Sequence, residues 1–302
     1  MKPAPTPSEN KSSSLDLRFS KRIRYAMGTS LEIIIPRKSN SMELISKVHE
    51  ELFTEASRLN KIFSTYDHSS ELSVLNSSTG GEFKVSKDLG HVIALGLQIN
   101  SQASEFNPAI GPLLKIWKTS TPNNYKIKQA LALIDLKTLQ INSGVVKKTS
   151  DLKLDFGALA KGYYLEKAKS IILKNNVRRA FINFGGQILA VGGGWKAAIS
   201  AMTVVEIDLD NESISTSSMN QKKNHIINPS TGYPAKGFRS LSVIHKNAAL
   251  ADAYSTAIFT MPPARALKFA ESHQIKMIAL TSNQELVYSK NMRRYAITKG
   301  TL

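Results

Sequence analysis

Apolar and polar residues alternate through "RYAMGTSLEIIIP", whose β-branched end stops at Pro36, and this period of two predicts one strand. The period then lengthens. Leu44, Val48, Leu52, Ala56, Leu59 and Phe63 recur at helical spacing, with Asn40 as N-cap and Glu43 three residues later, predicting a helix of about six turns buried along one face. "STYDHSSELSVLN" has no such spacing and predicts a loop with a short turn. Ser86 caps a second helix that carries Leu89, Val92, Gly96 and Ile99 on one side, and "EFNPAIGPLLKIW" breaks it with Pro108 and Gly111. Short strands at Thr138 to Ile141 and Val145 to Thr149 flank a turn at Ser143 and Gly144. They lead into "LDFGALAKGYY", where a short apolar segment meets a small-residue turn and a helix runs on from Tyr163.

Strand patterns dominate the second half. "RAFINFGGQILAVGG" predicts two strands around Gly185 and Gly186, followed by strands at "WKAAIS", "TVVEIDL", "SISTS" and "LSVIH". "ALADAYSTAIFTM" is helical and restarts after Pro262 and Pro263 as "ARALKFAESH"; "KMIAL" and "ELVYS" form a closing hairpin. Strand groups with helices laid against them, without repeats or regular strand–helix–strand alternation, predict an α+β fold rather than a doubly wound sheet. No linker divides the chain after residue 20. The expected organisation is a disordered leader over 1–20 and, over 21–302, a single elaborated layered domain of mixed or antiparallel sheet with packed helices.

Composition narrows the function classes. At 302 residues and 42% hydrophobic content the chain can bury a substantial core. No apolar run approaches the roughly 18 to 20 residues that span a bilayer, so no transmembrane segment is expected. The N-terminus, "MKPAPTPSENKSSSLDLRFSKR", lacks the apolar segment of a signal peptide. With no cysteine there is no disulfide, thiolate metal site, cysteine nucleophile or lipid-modified cysteine. Forty Lys plus Arg against 23 Asp plus Glu give a formal charge of +17, which favours anionic partners. The basic residues are scattered, and few aromatics interleave with them as a single-strand nucleic-acid platform requires, so no nucleic-acid partner is expected.

The six histidines form no HExxH or other metal-ligand pairing, and there is no P-loop, GxGxxG or GxSxG motif. Asp252 and Thr256 in "ADAYSTA" are the sharpest remaining pair. At i and i+4 on a helix they aim a carboxylate and a hydroxyl at one volume, which suits a hard cation such as Mg²⁺. The structural alternative has Asp252 stabilising the helix dipole and Thr256 bonding back to a carbonyl. In "LDFGALAKGYY" the small residues Gly157 and Ala158 leave backbone groups open to a ligand, and a helix N-terminus with Lys161 beside it attracts phosphate; a plain packing turn is the alternative. "INFGGQ", "STSSMN" and "NHIINPSTGYP" add stretches where backbone can approach a ligand closely.

Eight motifs, "MGTSLEIII", "FSTYDHSSELSVLN", "FNPAIGPLLKIW", "LDFGALAKGYYLEKA", "FINFGGQILAVGG", "ISTSS", "HIINPSTGYPAKG" and "ADAYSTAIF", occur in the order seen in the ApbE family of FAD:protein FMN transferases, and the chain resembles that family from about Tyr25 to about Met261. The resemblance implies an ApbE-like, T-fold-like domain and an enzyme of protein flavinylation. Such an enzyme transfers FMN from FAD to a threonine or serine hydroxyl of an acceptor flavoprotein and releases AMP. It implies Mg²⁺ held by the carbonyl of Ala158, the carboxylate of Asp252 and the hydroxyl of Thr256. It also implies FAD contacts at Met27, Tyr66, Glu105, Phe106, Asn107, Asp155, Lys161 and Ile226. Met27, Phe106 and Ile226 have core packing as the alternative, and Tyr66 could simply wall a cleft.

His225 resembles the family's "HIIDP" histidine and is the candidate general base, with ordering of the "NPSTGYP" turn as its alternative role. Lys161 as phosphate clamp and Asp252 as base compete with it. Four positions depart from the family pattern: Asn107 and Asn228 replace aspartates, Ala109 a threonine and Ser218 a glycine. Two other functions share the same residues, a Mg²⁺-dependent FAD pyrophosphatase that uses water as nucleophile and a non-catalytic flavin-binding protein. The family is often exported as a lipoprotein, whereas this chain has neither signal nor cysteine. The expectation is a cytoplasmic protein, or a periplasmic, membrane-anchored one if the chain was trimmed.

Overall fold

The computed structural model describes residues 18–119, 121–201, 203–219, 226–292 and 295. Most of the expected leader, and His225, lie outside them. Strand β1 (Phe19–Ala26) begins inside the stretch expected to be leader and pairs antiparallel with β2 (Thr29–Pro36). The alternation read as one strand is therefore a hairpin. Met27 (φ 44°) and Gly28 (φ 80°) both take positive φ, the two-residue turn whose twist suits a hairpin, and a methionine there gives no sequence cue.

Helix α1 (Met42–Phe63) has the expected length and buried face. Its cap is Ser41 rather than Asn40, because the Ser41 hydroxyl accepts the Leu44 N–H at 3.1 Å while the Asn40 amide turns back to the Pro36 carbonyl. The expected loop at "SSELSVLN" holds a short helix, α2 (Glu71–Ser77), capped by Ser70. It leads to β3 (Gly81–Lys84) and to α3 (Lys87–Gln102), capped by Ser86 as predicted.

Gly111 does not merely break α3; it opens α4 (Gly111–Thr119). A Cβ built there would lie 2.7 Å from the Lys153 carbonyl oxygen, where Ile110 and Lys153 form a parallel bridge. A further short helix, α5 (Asn124–Ala132), precedes β4 (Leu139–Asn142) and β5 (Val145–Lys148), and β3, β5 and β4 form a small antiparallel sheet.

Helix α6 (Ala160–Lys174) leads to β6 (Ala180–Phe184), β7 (Gln187–Val191), β8 (Trp195–Ala201), β9 (Thr203–Leu209), β10 (Ser213–Ser218) and β11 (Phe238–His245). Then come α7 (Ala248–Phe259), α8 (Pro263–Ser272), β12 (Lys276–Thr281) and β13 (Leu286–Tyr288). The main sheet has the order β1-β2-β6-β7-β10-β11-β12-β13, and every one of these pairs is antiparallel.

The sheet separates two cores by its period of two. Leu31, Ile33 and Ile35 of β2, Ile182 of β6 and Leu241 and Val243 of β11 face the main core with α1, α3, α6 and α7. Ile34, Phe181 and Ile244 point the other way, into a second core closed by the β8–β9 hairpin. The result is an α+β layered fold, as the sequence predicts, with α6 and α7 lying on the helical face. Among the described residues no helix is long and apolar enough to cross a membrane.

Candidate functional site

The corner that ends "LDFGALAKGYY" is held from several sides. Asn76 of α2 grips the main chain of Leu154 with both ends of its amide, each bond 2.8 Å. The Asp155 N–H donates to the Pro108 carbonyl at 2.8 Å, and Asp155 Oδ1 accepts the Gly157 N–H at 2.8 Å, an Asx turn that bends the chain towards α6. Gly157 is exposed and Ala158 half-buried, so this turn brings main chain to the surface.

Helix α6 begins at Ala160, three residues earlier than its sequence suggests, and its own N-cap, Leu159, supplies no side-chain cap. The cap comes from α7. Asp252 Oδ2 accepts the N–H of Gly162, in the first turn of α6, at 3.1 Å. In return Glu166 of α6 accepts the Ala248 N–H at the start of α7 at 2.5 Å. The helices meet so closely that a Cβ on Gly162 would lie 2.4 Å from the Ala248 carbonyl oxygen and 2.7 Å from Ala249 Cα, leaving room for glycine alone. The structural alternative for Asp252 is thus realised in changed form: it stabilises a helix dipole, but that of α6, not of its own helix.

Asp252 is 5% exposed. Burial pushes its carboxyl above the usual carboxylate range, against the opposing pull of Lys161, the Gly162 N–H and the Ser215 hydroxyl. Lys161 Nζ lies 3.9 Å from Oδ2 and donates to the Gly157 carbonyl at 3.1 Å. A carboxylate this buried, with one ammonium at that distance, is short of positive charge. Thr256 follows one turn later on α7, half-buried. The Asp252 carboxylate, the Thr256 hydroxyl and the Ala158 carbonyl are all hard oxygen donors, which fits Mg²⁺. Among the described residues no group of three or more His, Cys, Asp or Glu side chains could hold a metal.

Three buried serines, invisible to a search for metal-ligand spacing, complete the surroundings. Ser215 Oγ donates to Asp252 Oδ1 at 3.3 Å and lies 3.1 Å from Ser255 Oγ; Ser217 Oγ lies 3.1 Å from Ser255 Oγ and 3.5 Å from Thr256 Oγ1. "STSSMN" stands out in the sequence only as a polar stretch. The missing cue is strand register: Ser215 and Ser217 pair with Val243 and Leu241, so serines occupy β10 where the neighbouring strand places core residues.

The structure brings Asp155, Ala158, Lys161, Asp252 and Thr256 into one region, and the Pro108–Asp155 bond lays the segment from Glu105 to Asn107 beside it. Glu105 is 5% exposed; its Oε1 pairs with Arg265 at 2.6 Å, and among the described residues its buried Oε2 has no hydrogen-bond partner. Phe106 and Ile226 are both in the main core, the packing alternative for each. Met27 packs partly buried against that core, while Tyr66 is 76% exposed, with Lys118 bonded to its hydroxyl at 3.1 Å and set against its ring. Among the described residues neither Met27 nor Tyr66 shares a hydrogen bond with the Asp252 group.

Asn107 and Asn228 turn out to be alike. Asn107 Oδ1 accepts the Ala109 N–H at 2.8 Å while its Nδ2 donates to the Ile134 carbonyl at 3.0 Å. Asn228 Oδ1 accepts from the N–H groups of Ser230 and Thr231, while its Nδ2 donates to the Thr260 carbonyl at 3.0 Å. The oxygen builds the turn as an aspartate would. The amide adds a donor that an aspartate lacks.

Residues 27–280 match the ApbE family. The FAD:protein FMN transferase of Haemophilus influenzae is 27% identical, with 82% of this chain and 82% of that protein covered. The flavinyl transferase ApbE of Pseudomonas stutzeri, in its apo form, superposes with a TM-score of 0.85 at 23% identity, covering 93% of this chain and 97% of that one. The flavin transferase ApbE of Vibrio cholerae gives 0.82 at 22% identity, covering 92% and 99%.

Proposed function

The chain belongs to the ApbE family, and from that membership we propose that it is a FAD:protein FMN transferase. It moves the FMN half of FAD to a threonine or serine hydroxyl of an acceptor flavoprotein and releases AMP. The observation that carries this reading is Asp252: a buried carboxylate short of positive charge, one helical turn from Thr256 and beside the Gly157–Ala158 corner.

In the reaction the acceptor oxygen bonds to the FMN phosphorus, the bond from that phosphorus to the AMP oxygen breaks, and the hydroxyl proton leaves. This chemistry calls for alignment and charge neutralisation more than for covalent catalysis. Mg²⁺ held by the Ala158 carbonyl, Asp252 and Thr256 would supply neutralisation of the diphosphate when bound. Lys161, anchored on the Gly157 carbonyl, adds a second positive charge at the N-terminus of α6, where the helix dipole favours phosphate. Asp155 holds the turn through the Gly157 N–H. The buried Oε2 of Glu105, without a partner among the described residues, is an acceptor for an FAD donor, and Met27, Tyr66, Phe106, Asn107 and Ile226 complete the assigned FAD contacts. His225 is assigned the acceptor's proton.

Incubation with FAD and Mg²⁺, followed by quantification of AMP, tests the site. Asp252→Ala should abolish metal-dependent FAD cleavage, while Ala158→Gly should largely spare it because a main-chain oxygen survives the change. Undiminished cleavage by Asp252→Ala, or equal loss in both variants, would refute the assignment.

A further inference from the structure

Hydroxyl protons can be counted around Asp252. Ser215, Ser217, Ser255 and Thr256 bring one each, and five contacts compete for them: Ser215 with Asp252 Oδ1, Ser215 with Ser255, Ser255 with Ser217, Ser217 with Thr256, and Ser255 with the Asp252 carbonyl at 2.9 Å. The carboxylate and the carbonyl only accept. Ser215 donates to Asp252 Oδ1, since a charged acceptor makes the stronger bond than the Ser255 hydroxyl, and Ser255 donates either to the Asp252 carbonyl or to Ser215. Ser255 then accepts from Ser217, and Ser217 in turn accepts from Thr256, so four of the five contacts are filled. If Ser217 donates to Thr256 instead, at most three are filled, because Ser255 must either spend its proton on Ser217 or leave that contact empty. In a site this buried the arrangement with more hydrogen bonds prevails. Ser215, Ser217 and Ser255 are 3%, 8% and 1% exposed, so water does not easily replace a missing partner.

Resting on the cation set assigned above, we propose that Ser215, Ser217 and Ser255 are positioning residues. They form a one-way hydroxyl relay that draws the Thr256 proton inward and steadies the Asp252 carboxylate. The relay fixes two cation ligands at once: Thr256 presents lone pairs rather than a proton, and Asp252 Oδ1 is pinned by Ser215 while Oδ2 is pinned by Gly162. Neither β10 nor α7 alone supplies this. The serines of the strand and the ligands of the helix meet only because β10 and α7 pack face to face.

Binding of Mn²⁺ alone, without FAD, followed by loss of its free-ion paramagnetic resonance signal, tests the relay. Removing such an outer-shell partner should weaken the ion's affinity by about tenfold in Ser217→Ala and in Ser215→Ala. Ser217→Thr, which keeps the hydroxyl, should restore wild-type affinity. The rise in unfolding midpoint on adding Mn²⁺ serves as the second readout: it should be smaller in Ser215→Ala and Ser217→Ala than in wild type, whereas a serine that only supports the fold would lower the midpoint equally with and without the ion. If Ser217→Ala binds Mn²⁺ as tightly as wild type, while Asp252→Ala does not bind, the relay is wrong and the cation set stands. If Asp252→Ala binds as well as wild type, both fall.

Discussion

Asn228 spends each part of its amide on a different element. Its oxygen closes the turn through Ser230 and Thr231, and its nitrogen reaches the carbonyl of Thr260, the C-cap of the helix that carries Asp252 and Thr256. Asn228→Asp would keep the turn and set a carboxylate against that carbonyl. The expected cost is about 1 to 3 kcal/mol of stability, the range for a buried acceptor left without its donor, read from urea unfolding. An unchanged midpoint would show that the donor contributes nothing. At this scale the sequence is legible wherever a residue acts through its type. Asp252, Thr256 and Lys161 stand out as carboxylate, hydroxyl and ammonium at telling spacings. Ser215, Ser217 and Ser255 do not, because a serine matters here only for what faces it across β10 and α7.

Reciprocal capping is the corresponding feature at the scale of elements. Helix α6 lacks a side-chain cap of its own and takes Asp252, while α7, already capped by Asn247 at the Leu250 N–H, gains Glu166 on the Ala248 N–H, so each helix satisfies a donor at the start of the other. This explains why the sequence places the start of α6 late: its cap lies 90 residues away in the chain. Gly162→Ala should push the helices apart and pull Asp252 off its donor. The cost is that of an overpacked core or more, about 1 to 3 kcal/mol, with loss of cation binding, checked by calorimetric unfolding and Mn²⁺ titration.

A second junction joins α1, α3 and α6. Asp88 receives Tyr163 at 2.6 Å, Arg58 at 2.8 Å and Lys167 at 2.9 Å. Burial pushes its carboxyl up, but these three partners prevail and hold it down at about 2. A folded-state value below the unfolded one gives stability that is present above pH of about 4 and lost as pH falls towards about 2, worth about 2 kcal/mol. Unfolding midpoints followed through that window should fall more steeply in wild type than in Asp88→Asn. Parallel curves would remove Asp88 from the account. Where elements follow long periods, as in α1, α3 and α7, the chain shows them plainly. The short α2 and α5 and the Met27–Gly28 hairpin turn escape it, since two turns of helix or a methionine at positive φ carry too little pattern.

Across the whole molecule, one antiparallel sheet carries helices on one face and the β8–β9 hairpin on the other, and the candidate site forms where α6, α7 and β10 converge on the helical face. The layered α+β class was legible because strands and helices are grouped rather than alternating. The second core was not, because the outward-facing Ile34, Phe181 and Ile244 look like ordinary alternate positions until a hairpin covers them. The formal charge of +17 suits a protein that handles an anionic dinucleotide.

The most direct measurement is denaturing gel electrophoresis of candidate threonine- or serine-bearing acceptor proteins incubated with this protein, FAD and Mg²⁺, with AMP quantified alongside. A transferase gives an acceptor band that stays flavin-fluorescent through denaturation, AMP in step with it, and neither without Mg²⁺. Steady AMP release at the same rate with no acceptor present, and no fluorescent band with any acceptor, would contradict the account and make the protein a FAD pyrophosphatase.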